Sequence, residues 1–168
     1  MRSNNERWPV LLALAVILAA CAGAPPGDHS CRIAVWELEN LGPAGAPEAE
    51  MGPLLTANVL ESFQKTLPCG IVERQKLDLA LSELALGASQ LAAEDTRLRV
   101  GHIAGARQMV FGAYQIIGPN LRIDLRLVDV ATGAVVQTAE TSVASRDRHE
   151  WLRAARGAAE QLADTWRP

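Results

Sequence analysis

Hydrophobic and polar residues alternate most clearly near the middle of the chain, in residues 121–129. Four apolar residues alternate with three charged ones. The apolar residues are Leu121, Ile123, Leu125 and Leu127, and the charged residues between them are Arg122, Asp124 and Arg126. A two-residue period places successive side chains on opposite faces of a β-strand. The pattern therefore predicts a strand with one face in a core and the other face in water.

Turn residues on both sides of this strand predict two neighbouring strands. The turns are Gly118-Pro119-Asn120 and Ala131-Thr132-Gly133. Proline presets φ, while glycine and asparagine tolerate the positive φ that tight connections need. Residues 108–116 and 134–143 are therefore predicted to pair with the middle strand in an antiparallel meander.

Ahead of the meander, the sequence predicts a strand, a helix and a second strand. Residues 32–38 form a short apolar run, and residues 40–52 are rich in Gly, Pro, Ala and Glu, which indicates a loop. A helix is predicted next from apolar residues at helical spacing: Leu55, Val59 and Phe63. Residues 70–73 supply the second strand, and a strand–helix–strand unit normally makes parallel neighbours with a right-handed crossover.

Three more helices complete the predicted order. They cover residues 74–86, residues 94–105 and residues 146–166, with Ser145 as the expected N-cap of the last one. The fold class is α+β (mixed α/β), in the order β-α-β-α-α-β-β-β-α. We expect a mixed sheet with a parallel first pair and a C-terminal antiparallel meander, and helices packed on the sheet.

The length and the charge of the chain limit the classes of protein to which it can belong. A length of 168 residues suits one modest domain plus a short appendage. The formal charge of −3, with arginines scattered among acids, argues against a nucleic-acid binder, which would carry a basic stripe.

The first twenty residues have the composition of an export signal. Arg2 and Arg7 form a positive start, and residues 8–20 form an apolar run that is too short for an ordinary transmembrane helix. Residues 1–20 are therefore predicted to be a signal peptide that is removed on export.

The end of this signal matches the bacterial lipobox, Leu18-Ala19-Ala20-Cys21. In that motif the cysteine thiol receives diacylglycerol, so Cys21 is the predicted lipidation site. An ordinary export signal with an incidental cysteine is the alternative. Ala22 follows Cys21, and the resemblance to Gram-negative lipoproteins implies an outer-membrane location. Residues 21–30 are then a lipidated tether, and residues 31–168 are a single domain.

Cys31 and Cys69 stand at the starts of the first two predicted strands. If those strands are parallel neighbours, the two thiols begin side by side at a spacing that a disulfide can bridge. A protein outside the cytoplasm meets oxidising conditions, so we expect a bond. Two buried free thiols are the alternative.

The sequence offers little chemistry. It has no Gly-rich phosphate loop, no metal-spaced Cys or His pair and no Gly-x-Ser-x-Gly elbow. We therefore expect no catalytic, cofactor-binding or metal site. The three histidines are predicted to be solvated: His29, His102 and His149.

Two other groups of residues have a structural and a functional interpretation. Asp124 and Asp129 could act as paired carboxylates, but strand parity places Asp124 beside Arg122 and Arg126, with Glu140 as a further candidate partner. The tryptophans are predicted to pack in the core, with a binding surface as the alternative: Trp36, Trp151 and Trp166.

Several segments together resemble a known family. They are Ile33-Ala34-Val35-Trp36-Glu37-Leu38-Glu39-Asn40, Val72-Glu73-Arg74, Gly105-Ala106, Val110-Phe111-Gly112 and Arg122-Ile123-Asp124-Leu125-Arg126-Leu127-Val128-Asp129. This pattern resembles the curli-secretion CsgG group and the related TolB amino-terminal, FlgO and LpoB domains. The resemblance covers about residues 32–141, and its motifs are signatures of a fold more than of a site.

The resemblance implies non-enzymatic work in the cell envelope. An assembly or adaptor module in curli-like secretion, flagellar assembly or wall synthesis is the function that it favours. Its expected partners are the membrane, through the N-terminal lipid, and an envelope protein, with a homo-oligomer as a further option and no nucleic acid. A subunit of a CsgG-type secretion pore is the main alternative, and a hydrolase is a weaker one.

Overall fold

The structure is a computed structural model, and it describes residues 31–43, 49–84 and 93–166. It confirms the predicted α+β class and the predicted order of the main elements. The expected signal peptide and tether, residues 1–30 with the lipidation site Cys21, lie outside the described residues.

The described residues contain six strands and four α-helices. In chain order they are β1 (Arg32–Val35), β2 (Glu39–Asn40), α1 (Gly52–Thr66), β3 (Gly70–Ile71), α2 (Arg74–Glu83), α3 (Glu94–Ile103), β4 (Gln108–Ile117), β5 (Asn120–Asp129), β6 (Val135–Ala144) and α4 (Arg148–Thr165). One turn of 3-10 helix, Ala49–Met51, leads into α1.

All six strands belong to one mixed sheet, in the order β3-β1-β4-β5-β6, and β2 also pairs with β4. β1 runs parallel to both β3 and β4, and β4, β5 and β6 form the antiparallel meander. The predicted parallel first pair is confirmed, with Arg32 opposite Gly70. A second parallel pair, between β1 and β4, joins the two halves of the chain.

The prediction was wrong at β2, which it placed partly in a loop. The chain leaves β1 after Val35 and returns to the sheet at Glu39–Asn40, opposite Ala113 and Tyr114 of β4. Between these strands the backbone N–H of Leu38 donates to the hydroxyl of Thr56, at 3.0 Å. Because this hydrogen bond joins the backbone of Leu38 to α1, residues 32–38 do not form one continuous strand as predicted.

Two tight turns join the strands of the meander where they were predicted. Gly118 (φ 60°) and Gly133 (φ 70°) take the left-handed backbone conformation that other residues rarely adopt. Asp129 secures the second turn, because its Oδ1 accepts from the N–H and the hydroxyl of Thr132, each at 2.9 Å. These hydrogen bonds lower the pKa of Asp129.

The main core lies between one face of the meander and the helices α1 and α4. The four leucine and isoleucine positions of β5 that alternate with charges are all buried there: Leu121, Ile123, Leu125 and Leu127. Trp151 and Trp166 of the last helical region are also buried in this cluster, as predicted. This part of the hydrophobic pattern is thus explained by helix-on-sheet packing.

The opposite face of the sheet differs from the prediction, which placed it in water. Near the starts of β1 and β4 that face is covered by α2 and α3, and a second apolar cluster includes Ala34, Met109, Phe111 and Val128. β1 and β4 are apolar on both faces because both faces are covered at this end. Only the rest of the face is exposed.

The N-cap of α4 is Asp147 instead of Ser145. The Asp147 carboxylate accepts from the N–H of His149 at 2.9 Å. Ser145 supports this cap from outside the helix, because its hydroxyl accepts from the N–H of Asp147 and its carbonyl accepts from the indole N–H of Trp151. An acidic cap also suits the positive end of the helix dipole.

Cys31 and Cys69 are joined by a disulfide, with their Cα atoms 5.0 Å apart. The bond lies where β1 and β3 begin, and Arg32 faces Gly70 immediately beyond it. β3 has only two residues. The covalent bond therefore holds a very short edge strand in register.

We predict that loss of this disulfide destabilises the domain. The bond joins cysteines 38 positions apart, and loop entropy gives an upper figure of about 4 kcal/mol for such a loop. Urea unfolding of the Cys31→Ser/Cys69→Ser variant, compared with the oxidised protein, measures the loss. The pairing would be contradicted if non-reducing peptide mapping found that both thiols of the native protein can be alkylated.

A close approach at Gly101 holds α3 against the sheet. A Cβ at this position would overlap the Sδ atom of Met109 and lie 2.9 Å from its Cγ. Met109 is fully buried in the second cluster, so its side chain has little room to move. The absence of a side chain at Gly101 thus sets the distance between helix and sheet.

We predict that Gly101→Ala costs about 1–3 kcal/mol in unfolding free energy, as overpacked cores do. Gly157 provides a matched control, because it also lies in a helix but a Cβ there meets nothing within 4 Å. Gly157→Ala should stabilise the protein by up to about 1 kcal/mol, as helix propensity dictates. Equal effects of the two substitutions on urea unfolding would refute the packing argument.

Candidate functional site

The exposed part of the meander is the candidate functional surface, and we call it the open face. It carries outward side chains from β4, β5 and β6: Ala113, Gln115, Arg122, Asp124, Arg126, Thr138, Glu140 and Ser142. Strand pairing aligns these residues in rows, such as Ala113 opposite Asp124 and Asp124 opposite Glu140. Their chemistry is therefore set by cross-strand neighbours.

Arg122 links two carboxylates on the open face. Its guanidinium binds Asp124 at 2.8 Å and Glu140 at 3.0 Å. The hydrogen bond and charge of Asp124 raise the pKa of Arg122, with a further contribution from the charge of Glu140. Both partners were predicted from the sequence, and the structure brings all three groups together.

Arg126 connects the open face to α3. Its guanidinium binds the carboxylate of Glu94 at 2.7 Å and lies over the ring of Phe111, 5.6 Å from the ring centroid. Phe111 is one of the buried residues of the second cluster. Arg126 therefore covers the boundary between the apolar, helix-covered end of this sheet face and its exposed end.

A second arginine, Arg97, lies near β2 at the same boundary between the helix-covered end and the exposed end of this sheet face. Arg97 of α3 forms an ion pair with Glu39 and lies over the ring of Trp36, 5.8 Å from its centroid. Trp36 packs at the margin of the second cluster and is only partly buried. Sequence reasoning missed Arg97, because no local pattern connects a helix residue to strands so far away along the chain.

The open face and its border enclose a shallow groove of about 630 Å³. Its floor includes Phe111 and Ala113, and its rim includes the ion-paired side chains of Glu39, Asp124 and Arg126. The exposed side chain of Leu41 adds an apolar contact at one end. An apolar floor with a polar rim is the usual anatomy of a protein-contact surface.

The remaining candidates from the sequence do not assemble into a site. Asp129 is occupied by the turn after β5, so it does not pair with Asp124. His102 and His149 are exposed on α3 and α4, and His29 lies outside the described residues. Arg74, which follows Glu73 in sequence, binds Glu37 at 2.9 Å.

The described residues contain neither a candidate metal-binding cluster nor a helix that could span a membrane. In residues 31–43, 49–84 and 93–166, no group of three or more His, Cys, Asp or Glu side chains could hold a metal ion. None of the helices in the same ranges has the length and apolar character needed to cross a membrane.

Tyr114, the single tyrosine of the chain, was also missed by the sequence analysis. Its hydroxyl accepts from the backbone N–H of Gly52 at 3.1 Å, which joins β4 to the start of α1. Burial raises the pKa of Tyr114. The residue is 1% exposed, so its role is to fix the helix on the main core.

Comparison with known proteins gives a family and a set of similar folds. The family model of the curli production assembly/transport component CsgG matches residues 21–117. No curated protein sequence matches the chain.

Three solved structures illustrate the shared fold. The LpoB C-terminal domain from Salmonella enterica is 15% identical with a TM-score of 0.59, over 78% of this chain and 93% of that one. Lipoprotein GNA1162 from Neisseria meningitidis is 14% identical with a TM-score of 0.54, over 82% and 99%. A PelC dodecamer from Paraburkholderia phytofirmans is 16% identical with a TM-score of 0.50, over 83% and 92%.

At these identities the three structures establish likeness of fold and nothing further. The family match rests on the sequence itself and begins at Cys21, the residue after the predicted signal peptide. Because it spans more than half of the 168 residues, the chain belongs to the CsgG family of curli production assembly/transport components.

Proposed function

We propose that this protein is an outer-membrane lipoprotein, anchored through Cys21 and facing the periplasm, that works as a non-enzymatic assembly or adaptor module. Its activity would serve envelope biogenesis or the export of surface structures. Membership of the CsgG family and the lipobox ending at Cys21 support this role. Solved structures of similar fold include a protein described as a lipoprotein.

The observation that carries the adaptor role is the open face. Its carboxylates are engaged by guanidinium groups, as in the pairing of Arg122 with Asp124 and Glu140. A broad, ion-paired surface with an apolar groove suits contact with another protein.

The lipid anchor is the first testable part of this proposal. Cys21→Ser should move the protein from the membrane fraction to the soluble fraction, because the thiol that receives the lipid is gone. Ala22→Ser is the matched control and should stay in the membrane fraction. Intact-mass analysis should show an acylated N-terminus at Cys21, and an unmodified N-terminus at another residue would contradict the anchor.

The adaptor role predicts a protein partner on the open face. A photo-crosslinking amino acid at Gln115, which lies on this face, should capture a distinct envelope protein in intact cells. The same amino acid at Glu160, exposed on α4, is the control and should not capture it. Mass spectrometry identifies the product, and identical patterns from the two positions would count against the open face as the contact surface.

A further inference from the structure

The proposed lipid anchor lies close in sequence to one end of the sheet. Cys31 leads directly into β1, and ten peptide units join it to Cys21. A lipid on Cys21 therefore lies within about 35 Å of Cys31, even along a fully extended chain. The end of the sheet at which β1 starts is thus the end that the anchor holds near the membrane.

Backbone hydrogen bonds define which residues form this end. The N–H of Arg107 donates to the carbonyl of Arg32, and the N–H of Val130 donates to the carbonyl of Arg107, each at 2.9 Å. The starts of β1 and β4 and the end of β5 therefore lie side by side. We call this surface the anchor end, and its exposed or partly exposed residues include Arg32, Arg99, His102, Ile103, Arg107, Ala131, Thr132, Gly133 and Val135.

A shallow groove of about 680 Å³ crosses the anchor end between α3 and the turn after β5. Its lining includes the apolar side chains of Leu98, Ile103 and Val130 and the basic side chain of Arg99. Ile103 is 45% exposed, and Val135 at the start of β6 is 53% exposed. Apolar side chains beside basic groups suit the surface of a bilayer, where charged headgroups lie next to acyl chains.

The arginines of the anchor end are not engaged by ion pairs with other described residues. The ion pairs within residues 31–43, 49–84 and 93–166 do not include Arg32, Arg99 or Arg107. The guanidinium of Arg32 reaches Gly105, where a Cβ would lie 3.3 Å from its Nη1. These guanidinium groups can therefore bind an anion from outside the chain.

Two carboxylates lie near these arginines. Asp129 accepts hydrogen bonds from Thr132 in the turn after β5, and Asp95 lines the same groove as Arg99. They offset two of the three guanidinium charges and leave a positive excess. Because the formal charge of the whole chain is −3, the rest of the chain carries the negative excess, which an anionic surface repels.

We propose that the anchor end docks on an anionic phospholipid surface, with Arg99 and Arg107 at headgroup phosphates and Ile103 at the boundary with the acyl chains. The proposal rests on the anchor at Cys21 and adds an orientation to it. Attraction to an anionic leaflet falls off within a Debye length, so the short tether is what keeps these arginines within range. In this orientation the strands of the meander point away from the membrane, and the open face stays accessible from the side.

The test measures which end of the acylated protein, purified from membranes, lies against a vesicle. A fluorophore on Ala131→Cys, at the anchor end, is compared with one on Asn120→Cys, at the other end of β5 and about 35 Å away. The vesicles carry a headgroup quencher in phosphatidylcholine, with or without phosphatidylglycerol. The ratio of quenching at Ala131 to quenching at Asn120 should be at least about twofold higher on the anionic vesicles, and high salt should remove this difference.

Charge reversal locates the contact. Arg99→Glu/Arg107→Glu should lower the quenching ratio on anionic vesicles to its value on neutral vesicles. Arg146→Glu/Arg148→Glu makes the same change of charge at exposed positions beside the start of α4, so it is the matched control and should keep the native ratio. Arg99→Gln, a single exposed substitution on α3, should also lower the ratio, and it guards against misfolding of the double variant.

Three results would overturn the docking. Equal ratios on the two kinds of vesicle would mean that the tether alone positions the domain, and the anchor itself would stand. A native ratio in Arg99→Glu/Arg107→Glu would mean that other residues make the contact. Protein that fails to float with neutral vesicles would lack the anchor, which would overturn the anchor and the docking together.

Discussion

The register of the antiparallel ladder between β4, β5 and β6 is the constraint on which the rest of the structure depends. Because side chains alternate along a strand, a slip of one residue would move every core residue of β5 to the exposed face. The ladder runs from Asn120 to Asp129 against β4, with no irregularity described. Against β6 it contains one irregularity, at Leu127 and Val128. The same register therefore defines both the main core and the open face.

Helices cover the two faces of the sheet unequally, and this inequality produces the candidate site. α1 and α4 bury one face of the meander, whereas α2 and α3 cover the other face only where β1 and β4 begin. Gly101 allows α3 to approach Met109 closely. At the edge of this cover, Arg97 of α3 and Arg126 of β5 each form an ion pair and lie over an aromatic ring. The rest of this sheet face is exposed and forms the open face.

The sequence predicted the elements with strong periodicity and missed the features that depend on distant contacts. Residues 121–129 have a two-residue alternation, and their strand is confirmed with nearly the same bounds. The partners of Arg122 followed from strand parity alone. β2 was missed because its two residues, Glu39 and Asn40, are polar and exposed, so no apolar run marks them as a strand. The ion pair of Arg97 with Glu39 was missed because it depends on how α3 crosses the sheet.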